Sequence, residues 1–146
     1  MILYSRRTGD RVLMRVSDNG GPATPVTALD PSRQEIQHVW PAFLSDGRRF
    51  VFLARSKDPA KFAVFLASLD STERTHLIDV PSMALVVQGY LVYQRSGTII
   101  AHPFDERAGR LIGEPKSLIE DIQYNGSNGR GGFDVSQTGV LVYRSG

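Results

Sequence analysis

The sequence predicts an all-β protein assembled from repeated units of short antiparallel strands. Four segments of similar pattern recur along the chain, glycine-bearing turn signals stand at matching places before them, and further turn signals follow at intervals of about 8 to 12 residues. The recurring segments are Ile2 to Arg6, Phe50 to Ser56, Tyr90 to Gly97 and Val140 to Gly146. Each is a short apolar and aromatic run that ends in Arg and mostly Ser. Aligning Tyr4, Leu53, Tyr93 and Tyr143 gives a recurrence of about 40 to 50 residues, which is the period of a propeller blade.

The segments between these runs extend the pattern. Ser45-Asp46-Gly47, Gln88-Gly89 and Gln137-Thr138-Gly139 each place Gly where a tight hairpin needs positive φ, just before the second, third and fourth runs. Preceding strands are expected over Val39 to Leu44, Met83 to Val87 and Gly132 to Val135. A third strand follows each of the first three runs, over Arg11 to Ser17, Phe62 to Leu69 and Thr98 to Phe104. Turns beginning at Asp18, Asp70 and Asp105 lead to closing strands over Thr24 to Leu29, Arg74 to Ile78 and Pro115 to Ile119. The units are thus four-stranded antiparallel sheets spanning about 1–30, 38–79, 82–120 and 132–146. The first lacks its opening strand and the fourth its last two, so the single domain reads as a partial β-propeller of about three blades.

One segment competes with this assignment. Asp58-Pro59 is a good helix start, and Ala60 to Leu69 is apolar enough for a buried helix. The repeat context favours a strand there. Asp30 to Gln37 carries no pattern, and Asp121 to Gly131, rich in Asn and Gly, reads as a surface loop between blades.

Composition bounds the function. The chain has 146 residues, 41% of them hydrophobic and 22% charged, which suits one ordinary globular domain. A net charge of +2 is too small an excess to imply a nucleic-acid partner. With no Cys, disulfides, thiolate metal sites and a cysteine nucleophile are excluded. No apolar run approaches the roughly 20 residues of a membrane span, and no export signal is expected.

The run Trp40-Pro41-Ala42-Phe43-Leu44-Ser45-Asp46-Gly47-Arg48-Arg49-Phe50-Val51-Phe52 resembles the core repeat of the TolB-like, WD-repeat-like bacterial propellers. Phe133 to Tyr143 is similar to a degenerate last copy. Gly97 to Asp105, followed by Leu111-Ile112-Gly113-Glu114-Pro115, resembles the C-terminal propellers of bacterial receptor-type serine/threonine kinases. The resemblance covers essentially the whole chain and implies an extracytoplasmic or periplasmic sensor or scaffold. Leu44 stands where the repeat usually has a small residue, and Gln137-Thr138 replaces its Pro-Asp. No kinase motif is present.

Catalytic constellations are not assembled in the sequence. His38, His76 and His102 fall in three different strand neighbourhoods without metal-ligand spacing, so no metal or cofactor is expected. Gly126-Ser127-Asn128-Gly129 has the wrong spacing for a nucleophile elbow. The glycines of Gly126 to Gly132 precede a strand rather than a helix, unlike a phosphate-binding loop. Asp18, Asp70 and Asp105 read as turn residues capping their own backbone. Tyr4, Tyr93 and Tyr143, at one repeat position, read as contacts between blades. The distinctive set is Arg6, Arg55, Arg95 and Arg144, one at the end of each recurring strand. On one rim these would form a cationic ring for an acidic peptide, phosphate or polysaccharide, whereas individually they would cover their own hairpins or pair with acids.

The expectation is a non-catalytic interaction or ligand-sensing module. An accessory propeller of a hydrolase, and a truncated gene product without selected activity, are the alternatives. An open arc of blades leaves apolar faces and strand edges in water, so a homo-oligomer, with a dimer favoured, is expected to complete it.

Overall fold

The computed structural model describes residues 1–146 as an all-β chain whose only helical elements are two short 3-10 turns. The first sheet has the order β1 (Ile2–Ser5), β2 (Leu13–Val16), β3 (Thr24–Pro25). The second is an antiparallel meander of β4 (Glu35–Phe43), β5 (Arg49–Ser56), β6 (Ala63–Ser68) and β7 (Ser71–Asp79). The third repeats that course with β8 (Ala84–Val87), β9 (Tyr90–Arg95) and β10 (Thr98–Asp105). The far end of β10 pairs with β11 (Arg110–Leu111), and its near end with β12 (Lys116–Ile119). A hairpin of β13 (Tyr124–Asn125) and β14 (Arg130–Gly131) precedes the last pair, β15 (Phe133–Val135) and β16 (Leu141–Tyr143).

The expected strands are present, with shifted ends. Their turns have the expected chemistry: Gln88 and Gly89 are both left-handed, at φ 49° and 82°, which matches the right-handed twist of the strands they join. Asp58-Pro59 does start a helical turn, but only Pro59–Lys61, with the Asp58 carboxylate accepting from Ala60 N at 3.0 Å. Past Phe62 the period becomes two. Ala63, Phe65 and Ala67 join one apolar cluster while Val64 and Leu66 join another, so a strand buries both sets where a helix would present one stripe.

The same alternation stacks the sheets face to face. On β5, Phe50, Phe52 and Ala54 meet Leu13 and Leu3 of the first sheet, while Val51 and Leu53 meet Ala84, Val86, Leu91 and Tyr93 of the third. From the third sheet, Val92 and Ile99 face Phe133 and Leu141 of the last. The β5 core residues from Phe50 to Ala54 are at most 1% exposed, a degree of burial worth about 1.5–3 kcal/mol for each large side chain.

Three expectations need correction. Asp121 to Gly131 is not an unstructured loop, because it holds the β13–β14 hairpin and docks on neighbouring sheets. Of the three aligned tyrosines, Tyr93 is buried, but Tyr4 and Tyr143 lie on the outer sheets and are exposed, having no further sheet to pack on. Asp18 and Asp70 do not cap their own backbone: Asp18 pairs with the N-terminal amine and Asp70 with Arg48. Their turns are closed instead by Ser17 and Ser68, whose hydroxyls accept from Asn19 N and Asp70 N.

Phe52→Ala should therefore cost about 3–5 kcal/mol of unfolding free energy, because its ring lies between Phe50, Phe65 and His38. Ile112→Ser, on an exposed position, should stay within about 0.5 kcal/mol. Denaturant midpoints of the two variants check the contrast.

Candidate functional site

The four rim arginines do not share one environment. Arg55, on β5, is half-buried; its Nη1 donates to Gln37 Oε1 at 2.6 Å and its Nη2 to the Ser127 carbonyl at 2.5 Å. Burial, then the positive charge of Arg11, pushes its pKa below the ordinary arginine value. Arg95 is exposed and donates to the Asp79 carbonyl at 3.1 Å. Arg6 and Arg144 are exposed, and neither guanidinium makes a hydrogen bond or ion pair within the chain. Arg55 therefore fastens β5 to the turn of the β13–β14 hairpin and Arg95 fastens β9 to the end of β7, while Arg6 and Arg144 are free.

Arg55 is one of the contacts that hold the β13–β14 hairpin. Trp40 Nε1 donates to the Asn128 carbonyl at 2.8 Å, Met83 N to the Gly129 carbonyl at 2.8 Å, and Tyr124 Oη to the Pro81 carbonyl at 2.5 Å. Trp40 itself sits at φ 56°, in a bulge where β4 shifts register against β5. That left-handed backbone is costly for a bulky residue and is held by the surrounding contacts. Arg130 lies 5.7 Å over the Trp40 ring, a cation–π geometry.

Beside this hairpin is an open concavity of about 780 Å³, lined among others by Tyr124, Arg130, Asp134, Val142, Tyr143 and Arg144. Its size is that of a ligand cleft. The glycine-rich backbone does not form a phosphate cradle. Ser127 N and Arg130 N already donate to the Asn125 and Asn128 side chains, and Gly129 N and Gly132 N to carbonyls. Recognition in this groove falls to side chains.

A second polar cluster is centred on the buried side chains of Glu35 and His38. At the start of β4 the Glu35 carboxylate accepts from His38 Nε2 at 2.7 Å, Arg74 Nη2 at 2.6 Å, Arg74 Nη1 at 2.9 Å and Asp30 N at 3.0 Å. A carboxylate oxygen only accepts, which places the proton of the His38 ring on Nε2. Nδ1 lies 2.8 Å from the Thr27 hydroxyl, and that oxygen accepts from Leu13 N at 3.1 Å. Arg74 also lies 4.1 Å over the Phe65 ring. The cluster ties the segment after β3 to β4 and β7 and so joins the first two sheets. Glu35 and His38 are buried and bonded to each other, while Asp30 and Arg74 reach the wall of a concavity of about 300 Å³; the contacts across the two sheets make the cluster a structural clamp.

Sequence reasoning left Asp30 to Gln37 without pattern and missed Glu35 and Arg74. The available signal was Glu35 and His38, three residues apart within a strand segment, but their partner lies 39 residues from Glu35. His76 pairs with exposed Asp79, and His102 accepts or donates at 3.1 Å to Tyr93 Oη, so the three histidines lie in separate environments. No family model, no curated protein and no solved structure matches this chain.

The clamp has a pH signature. Burial raises the Glu35 pKa, but hydrogen bonds from His38 and Arg74 outweigh it and bring it from an ordinary 4.5 down to about 2. A carboxylate depressed in the folded state stabilises fully above its unfolded pKa, and that contribution is lost as pH falls from about 4.5 to about 2, an interval worth about 3 kcal/mol. Urea unfolding of Glu35→Gln across this range should show a flatter pH dependence than the native chain. An equal slope would remove Glu35 from the acid response.

Proposed function

We propose that the chain is a non-catalytic binding module of the propeller type, in which successive antiparallel sheets act as blades and loops on the rims meet partners. The observation that carries this reading is the stacking: the second and third sheets run the same course and are covered on both faces, while the first and last are covered on one face only. What supports a binding rather than a catalytic role is the use of the polar groups. Glu35, His38 and Arg74 are bonded to one another, and of the four arginines at the repeat position Arg55 and Arg95 bond to backbone carbonyls while Arg6 and Arg144 stand free. The extracytoplasmic sensor or scaffold role implied by the TolB-like resemblance belongs to the same reading.

The outer sheets suggest how the isolated chain behaves. Ile2 and Tyr4 on β1 are exposed apolar side chains at the first end of the stack. Covering them with further sheet is the favourable outcome, and a second copy of the chain supplies such faces. The isolated chain should therefore run as a dimer in light scattering coupled to gel filtration at micromolar concentration. Ile2→Asp with Tyr4→Asp should shift it toward 16.1 kDa. A cooperative, folded native chain that is monomeric at the highest attainable concentration would contradict the association.

A further inference from the structure

We infer that the groove beside β16 is a docking site for an extended acidic peptide, which adds as a strand to the free edge of β16 and places carboxylates on Arg144 and Arg130. The first support is the ladder. β16 pairs with β15 alone, with Ser136 N donating to the Val140 carbonyl and Arg144 N to the Gly132 carbonyl. In an antiparallel ladder the inward and outward groups alternate, so Leu141 and Tyr143 turn their N–H and C=O groups to the unpaired edge. An extended segment can satisfy those groups in the manner of strand addition.

The second support is charge. Arg144 continues directly from β16 and Arg130 stands on the hairpin across the groove, and both line the same concavity. Neither guanidinium forms an ion pair or a hydrogen bond within the chain, although Arg130 lies over the Trp40 ring. Guanidinium groups with free donors favour carboxylates, which they engage through paired hydrogen bonds. Asp134 is the one carboxylate among the lining residues, and its Oδ1 accepts from Val135 N at 2.8 Å. It stands opposite Val142 in the ladder and opposes acidic side chains at that position. Tyr143, 52% exposed, stands on the other face of the strand from Val142 and Arg144, the face on which the small or β-branched residues between the acids lie.

The occupant is thus a strand that alternates acidic with small or β-branched residues over about six positions, an ordinary strand length. This deepens the binding-module reading, and the two fail separately, because a monomeric chain would still present the edge and both arginines.

The probe is a blocked synthetic peptide alternating glutamate with threonine, titrated by fluorescence anisotropy against the full chain. Binding should weaken with added salt, by about fivefold or more in Arg144→Ala, and further when Arg130→Ala is added. Arg144 holds no partner, so its variant should unfold at the native midpoint; Arg130→Ala alone is judged only where its midpoint is also native. Asp134→Asn should tighten the peptide. The glutamine–threonine counterpart, and the glutamate peptide N-methylated on alternate amides, should both bind poorly. Equal binding of either counterpart, or native affinity in Arg144→Ala, would overturn the proposal. So would full displacement by free glutamate at equal concentration, which marks a small-anion site, or binding that falls away as the chain self-associates, which assigns the groove to a second copy.

Discussion

The structure depends on one constraint: β5 and β6 bury both of their faces. A strand with water on one side alternates polar and apolar residues, but Phe50 to Ala54 and Ala63 to Ala67 are apolar throughout, because each face of the second sheet meets another sheet. The remaining organisation follows from supplying those covers. The first sheet exists to cover Phe50, Phe52 and Phe65, and the third to cover Val51, Leu53 and Val64. The third sheet in turn is covered by Phe133 and Leu141, and the stack ends in strands that are half exposed.

Two polar devices fix how the covers sit. Between the first and second sheets, dispersion alone would permit sliding, whereas the Glu35 carboxylate requires Asp30, His38 and Arg74 at defined positions. Removing one partner would leave a buried charge uncompensated, a loss of about 3–5 kcal/mol by analogy with buried pairs elsewhere. Between the second, third and last sheets, the β13–β14 hairpin reaches across and is fastened through Trp40, Arg55, Pro81 and Met83. The left-handed Trp40 holds the hairpin through its bond to the Asn128 carbonyl, and that hairpin forms one wall of the groove.

The fold was legible where one local rule decided it. Gly47, Gly89 and Gly139 marked hairpins because their left-handed backbones, φ 66°, 82° and 88°, demand glycine. The apolar runs after them had nowhere to go but into sheets. Legibility failed where distant partners decide the structure. Nothing local distinguishes buried Tyr93 from exposed Tyr4 and Tyr143, since the difference is whether another sheet lies beyond. The repeated arginines looked equivalent because their strands are equivalent, yet Arg55 is fastened by a hairpin 72 residues later while Arg144 is free. Arg130 carried no repeat signal at all, and only the hairpin's position brings it to the groove that Arg144 lines.

Amide hydrogen exchange tests the central constraint most directly, because it ranks segments by the free energy needed to open them. If the doubly covered second sheet holds the molecule together, amides of Phe50 to Ala54 and Val64 to Leu66 exchange slowest, those of β9 follow, and Ile2 to Ser5 and Leu141 to Tyr143 exchange fastest among the strands. Protection in Leu141 to Tyr143 equal to that in Phe50 to Ala54, or rapid exchange across β5 in the folded chain, would contradict a structure organised around that sheet.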